Sequence, residues 1–130
     1  MKKLLYISGI LLAATACTTN DDTEKMGQLC LAQARDYLGF ERFAEARAAI
    51  DSLRANYPRA FNAREEGILL LDSIDLQEAR KNLEDAQKSL ALNPSGAEKD
   101  SIEFDKEEAE QKITFFTKKL AHDKANFKKH

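Results

Sequence analysis

The sequence predicts an all-α protein: a short helical hairpin followed by a long antiparallel helical hairpin of coiled-coil type. Three observations carry this. The 130 residues contain no Val and no Trp, and a sheet built without Val lacks the β-branched residues that suit a pleated surface. Pro58 and Pro94 are the only prolines, which leaves long stretches free of the residue that breaks helices. Apolar residues recur at spacings of three and four along most of the chain. The formal charge of −2 comes with no basic face, which argues against nucleic acid as a partner.

The first 16 residues stand apart from this pattern. Met1-Lys2-Lys3 is a positive n-region, and Leu4 to Ala14 is an apolar run of 11 residues. About 20 residues are needed to span a bilayer, so the run fits a secretory leader instead. Loss of Lys2 and Lys3 with it would take the charge from −2 to −4. Ala14-Thr15-Ala16-Cys17 resembles the lipobox of bacterial lipoproteins, in which small residues precede a cysteine that becomes lipidated after cleavage. It departs from that pattern at Ala14, where Leu is usual. Ordinary cleavage after Ala16 with a free Cys17 is the alternative, although an exposed thiol is a liability in an oxidising compartment. The resemblance implies a lipid anchor at Cys17 and a mature chain held on a membrane. Thr18, in place of the Asp that retains many such proteins at the inner membrane, implies delivery to the outer membrane. Asn20-Asp21-Asp22 is similar to acidic signals for surface exposure.

Residues 17–23 are expected to form the lipidated Cys and a polar tether, with the first helix capped by Asp22 or Thr23. Its apolar face is expected to hold Met26, Leu29, Cys30, Gln33, Ala34 and Tyr37. Gly39 is the expected stop. A second helix, about Glu41 to Ala55, places Phe43, Ala46, Ile50 and Leu53 on one face. Asn56 is expected in a left-handed cap, and Tyr57-Pro58 blocks continuation. Over residues 24–57 and on to Pro58, the pair resembles a tetratricopeptide repeat. Ala34, Tyr37, Phe43, Ala46, Ile50 and Pro58 fall on that family's small, aromatic, aromatic, small, apolar and proline positions. Cys30 replaces the usual Trp or Leu, and the turn glycine is displaced to Gly39. A repeat behind a lipid anchor is also similar to the outer-membrane assembly lipoproteins.

Residues 58–130 admit two readings. Glu45-Ala46-Arg47 recurs as Glu78-Ala79-Arg80, an offset of 33 that would suit a second repeat turning near Asp72 to Asp75. Against it, Leu69, Leu76, Leu83 and Leu90 recur every seven, with Ala79 and Ala86 between them, which suits one helix from Pro58 to about Leu92. Asn93-Pro94-Ser95-Gly96 is a turn, and Ser95-x-x-Glu98 matches a capping box. Ala109, Ile113, Phe116, Leu120 and Phe127 then keep a heptad rhythm in a helix of similar length. Folding back at Pro94 brings Leu90 to Ile102, Leu83 to Ala109 and Leu76 towards Phe116, which favours the long hairpin. The short hairpin is expected to pack around Ala60, Ala63, Gly67 and Leu70. The last helix is acidic in its first half and lysine-rich in its second, in line with the helix dipole. Arg80, Lys81 and Lys88 are placed to face its acidic half. "NFKKH" carries no helix stop, which leaves room for a longer parent protein.

Little in the chain suggests chemistry. The histidines are His122 and His130. Adjacent His122 and Asp123 point about 100° apart on a helix and share no ion. No glycine-rich loop follows a strand, no serine has a suggestively placed histidine, and no cleft is implied that would tune a carboxylate. The expectation is a non-enzyme with no catalytic residues, metal, cofactor or small-molecule substrate. It would act as a scaffold or protein-interaction module bound to an envelope protein. The alternatives are a self-associating structural coiled coil and a holdase-like chaperone.

Overall fold

A computed structural model describes residues 20–128; the expected leader, Cys17 and His130 lie outside the described residues. Four helices follow in order: α1 Asn20–Gly39, α2 Phe43–Asn56, α3 Phe61–Leu90 and α4 Gly96–Phe127. No strand occurs among the described residues, so the all-α expectation holds. α3 is the spine. α1 and α2 pack against each other and both against α3, whereas α4 packs against α3 alone. α3 runs unbroken through Asp72–Asp75. At 1.5 Å per residue it is about 45 Å long, and α4 is slightly longer.

α1 runs parallel to α3. Glu24 Oε1 accepts a hydrogen bond from the Ala63 backbone N–H at 2.6 Å, Gln28 donates to Glu66 at 3.0 Å, and Arg35 bonds Glu66 at 2.9 Å. Glu24 thus supplies, from another helix, a cap for one of the unpaired N–H groups at the start of α3; Ala60, at the N-cap position, has no side chain to do so. α2 runs antiparallel to α3, and Arg47 bonds both Asp75 and Glu78 at 2.5 Å.

Two contiguous clusters form the core. Ala34, Leu38, Ala46, Ala49, Ile50 and Ile74 make one, with Tyr37, Phe43, Leu70 and Leu71 packed on it. Leu31, Leu53, Ala60 and Ala63 make the other, with Cys30, Tyr57 and Leu70 alongside. The expected seat of the short hairpin on Ala60, Ala63, Gly67 and Leu70 is therefore present. The expected face of α1 is half right: Ala34 is buried and Cys30 and Tyr37 pack on the core, but Met26, Leu29 and Gln33 face outward. Gly27, Leu31, Ala34 and Leu38 are buried, while Met26 and Leu29 are 40% and 56% exposed. The cause is Gly27. A Cβ there would lie 2.8 Å from Ala60 Cβ and 2.9 Å from both Ala63 Cβ and Leu53 Cδ1. The helix turns this residue inward because only glycine permits so close an approach.

The ends of the helices also differ from expectation. α1 already includes Asn20, Asp21 and Asp22, two of them acids that favour a helix N-terminus; the polar tether is correspondingly shorter. Gly39 is the last helical residue, and Glu41 takes the left-handed conformation, φ 56°. Arg42 N–H bonds Tyr37 O at 2.9 Å and Glu41 N–H bonds Leu38 O at 3.0 Å, the two bonds of a Schellman motif. Arg42 then lies 5.0 Å above the Tyr37 ring and bonds Glu45, so a cation–π contact closes the turn. α2 accordingly starts at Phe43 and not at Glu41. Asn56 is the last residue of α2 and has no positive φ; Tyr57 N–H caps the helix on Leu53 O at 2.9 Å.

At the second turn Asn93 is left-handed, φ 54°, as is Gly96, φ 60°. Ser95 precedes α4 in extended backbone, but its side chain makes no cap hydrogen bond, so the capping box does not form. The fold-back register matches expectation: Lys119 reaches Asp72, and Ala86, Ser89, Ile102 and Ala109 line one groove.

Candidate functional site

The predicted residues separate into three places. Ala34, Ala46 and Ile50 are fully buried, with Tyr37 and Phe43 packed on the same cluster. Ala34, Ala46 and Ile50 are thereby shielded from any partner, while Tyr37 and Phe43 are only partly buried. Pro58 is exposed in the α2–α3 turn, at the other end of the short hairpin. It borders a shallow depression with Asn20, Thr23, Met26, Asn56, Tyr57 and Arg59. The start of α1 and the α2–α3 turn therefore share one end of the molecule. Cys17, three positions before Asn20, lies outside the described residues.

The opposite end is the α3–α4 turn. α1 and α2 cover α3 as far as the groove formed by Glu41 and Phe43 with Gln77, Arg80, Lys81 and Glu84. Beyond it, α3 and α4 continue alone for about 10 Å, and Leu92 at the tip is 84% exposed. On this stretch a groove of about 360 Å³ opens between the two helices, lined by Asn82, Asp85, Ser89, Asp105, Glu108 and Lys112 over a floor of Ala86 and Ala109. Lys81 and Lys88 do not cross to α4 as expected. They pair with Asp85 and Glu84 one turn away on α3, where an i,i+4 partner is already within reach.

One polar cluster lies inside the α3–α4 seam, and sequence reasoning missed it. Asp72 is 2% exposed. Lys119 Nζ lies 2.5 Å from its Oδ1 and 2.9 Å from Asp123 Oδ2. Asp72 Oδ2 is buried without a hydrogen-bond partner. Burial pushes the Asp72 carboxyl above its ordinary range, with the Asp123 carboxylate adding to the effect and Lys119 opposing it. Asp123 is held down at about 2, chiefly by its bond to Lys119 and then by His122 and Asp72. The signal was in the heptads. Asp72 stands three residues after Leu69, where Ala79 and Ala86 follow Leu76 and Leu83. Asp123 extends the series Ala109, Phe116. Both were polar interruptions of a pattern read only for its apolar members.

This cluster is an internal tie between helices. Among the described residues no group of three His, Cys, Asp or Glu side chains is placed to hold a metal ion. His122 is exposed and bonds Asp123 and Asn126. Cys30 is a free, partly buried thiol against the second core cluster. No described helix is long and apolar enough to cross a membrane. No protein-family model, curated protein or solved structure matches this chain.

Proposed function

We propose that this protein is a lipid-anchored scaffold of the bacterial cell envelope, acylated at Cys17 and held on the outer membrane, that presents its helices to another envelope protein without catalysing a reaction. Support comes from the layout of the ends. The lipobox-like Ala14-Thr15-Ala16-Cys17 precedes α1 by three residues, and α1 starts at the end of the molecule opposite the α3–α4 tip. An anchor there would hold the α2–α3 turn near the lipid and raise the tip about 45 Å from it. The tetratricopeptide-like register of Ala34, Tyr37, Phe43, Ala46 and Ile50 belongs to this reading as the rigid base. Several acyl chains on one cysteine, at about 0.8 kcal/mol per buried CH₂, hold such a domain permanently.

The test is metabolic labelling of cells with a palmitate analogue, followed by fractionation. Wild-type chain takes up label and sediments with the outer membrane; Cys17→Ser takes up none and is not retained there. Release of an unlabelled soluble chain from wild-type cells sinks the anchor. Crosslinking from Leu92 in intact envelopes, with identification of the captured protein, tests the scaffold. A tip that reaches no envelope protein sinks that part separately.

A further inference from the structure

We propose that the outer face of α4 is a self-association surface on which α4 of a second copy packs antiparallel. The heptad seam of α4 (Ile102, Lys106, Ala109, Ile113, Phe116, Leu120, Asp123 and Phe127) already faces α3, and these, with Lys119, are its least exposed residues. On the opposite side a second ladder with the same four-three spacing runs through Phe104, Glu108, Gln111, Phe115, Lys118 and His122, with Glu108 at the edge that also borders the α3–α4 groove. Among the described residues no helix covers it, because α4 touches α3 alone of the described helices. Phe104 is 66% exposed and Phe115 59%, and Phe115 sits beside an open depression with Glu107, Gln111, Thr114 and Lys118. Phe116 meets the Phe115 ring edge-on at 5.1 Å, which holds Phe115 on the outer side.

Charge selects the occupant and its direction. Residues 96–110 carry seven acids against two lysines; residues 111–128 carry five lysines against one acid. Lys99 and Lys106 are engaged within the helix, with Glu103 and Glu110. Lys112 pairs with Glu108, and Lys119 with Asp72 and Asp123. Glu98, Asp100, Asp105 and Glu107 in the first half make no ion pair among the described residues, nor do Lys118 and Lys124 in the second. An antiparallel copy lays each acidic half along a basic half. A parallel copy would set acid against acid, which is destabilising. The register that seats Phe104 of one copy on Phe115 of the other, twice by symmetry, also sets Lys118 beside Ser101 and next to Asp100. A two-fold axis then falls between Ala109 and Glu110, and the contact is isologous and closes as a dimer.

Sedimentation equilibrium of the full chain carrying Cys17→Ser, in mild detergent, tests this independently of the lipid anchor. A dimer is expected. Phe104→Glu and Phe115→Glu each raise its dissociation constant about tenfold or more, as loss of a central aromatic anchor does. Their helical circular dichroism should be unchanged, since neither ring lies in the core. Lys118→Glu weakens the dimer, and Asp100→Lys in the same chain restores it. Orientation is read with a nitroxide on Ala125→Cys in a chain that also carries Cys30→Ala. Antiparallel pairing places the two labels about 45 Å apart, and parallel pairing brings them close together. A chain that stays monomeric at its highest soluble concentration overturns the proposal. So does a dimer indifferent to Phe104 and Phe115, or a short label distance.

Discussion

The two sides of α3 are built on different physics. Towards α1 and α2 it presents Ala63, Gly67 and Ile74, against Leu31, Ala34, Ile50 and Leu53, nearly all at 0% exposure. Small residues let three helices close to van der Waals contact, and polar groups are confined to the rim, as in the Glu24–Gln28–Glu66–Arg35 ladder. Towards α4 it presents Leu76, Ala79 and Ala86, and α4 answers with a single buried residue, Ala109. Two helices alone have no third neighbour to cover their flanks. This side relies on heptad register and on the Asp72–Lys119–Asp123 tie. One side is held by close packing and the other by alignment, so mutations should read the two sides differently.

The largest effect is expected where both sides depend on the same backbone. Ser73→Pro removes a hydrogen bond in the middle of α3 and clashes with the preceding turn, so a loss of about 3 kcal/mol or more is expected. A loss below 1 kcal/mol in urea titration would mean that α3 is not one rigid spine. Next comes the close-packed side alone. Gly27→Ala puts a Cβ within 3.0 Å of three side-chain atoms, two of them Cβ atoms that cannot swing away. Separation of α1 from α3 should cost about 2–3 kcal/mol, measured by the same titration.

The aligned side is tested by Lys119→Met, which leaves Asp72 buried without a cation. Breaking a buried pair costs several kcal/mol; because Lys119 is 39% exposed, a loss of about 2 kcal/mol is expected. Its pH dependence carries a sign. The folded pKa of Asp72 is already raised by burial and rises further without Lys119, so the carboxyl opposes folding once it ionises. The deficit of the variant is therefore largest at neutral pH and shrinks as acid protonates Asp72. In the wild type, Asp123 is depressed from 3.8 to about 2. Its contribution is present above 3.8 and is lost as pH falls through that window. Stability curves of the two proteins should converge in acid; parallel curves would remove Asp72 from the account.

The smallest effects are gains. Gly67→Ala brings a Cβ no closer than 3.4 Å to Leu53 Cδ2, so it should keep the packing and raise stability by about 0.5–1 kcal/mol through helix propensity. That outcome, set against Gly27→Ala, would show that the two buried glycines differ by half an ångström of clearance. Glu41→Gly relieves a non-glycine residue at φ 56° and should gain about 0.5–1 kcal/mol. A small rise in melting temperature checks each.

Much of α2, α3 and α4 was legible because each carries a face marked by regular apolar spacing. Ala46, Ile50 and Leu53, or the Leu69–Leu76–Leu83–Leu90 series, mark that face by hydrophobicity alone. α1 was only half legible: Cys30, Ala34 and Tyr37 fall on the inner side, but the N-terminal contact centres on Gly27, which has no side chain and so no hydrophobic signal. The Asp72–Lys119–Asp123 cluster was misread for the converse reason. Its members are polar at apolar positions, and only the register of α3 against α4 shows that Asp72 and Lys119, 47 residues apart, meet.

By itself, the sequence of this protein determined that it is helical, where its long turn falls, and how its two long helices align. Those properties rest on local preference and on a seven-residue period that any pair of helices would obey. The tertiary structure alone decided which side of α1 turns inward, that Glu24 caps α3 from outside, and that Glu41 rather than Gly39 bends the chain. Each depends on how closely two backbones approach, and that distance is set by both partners together.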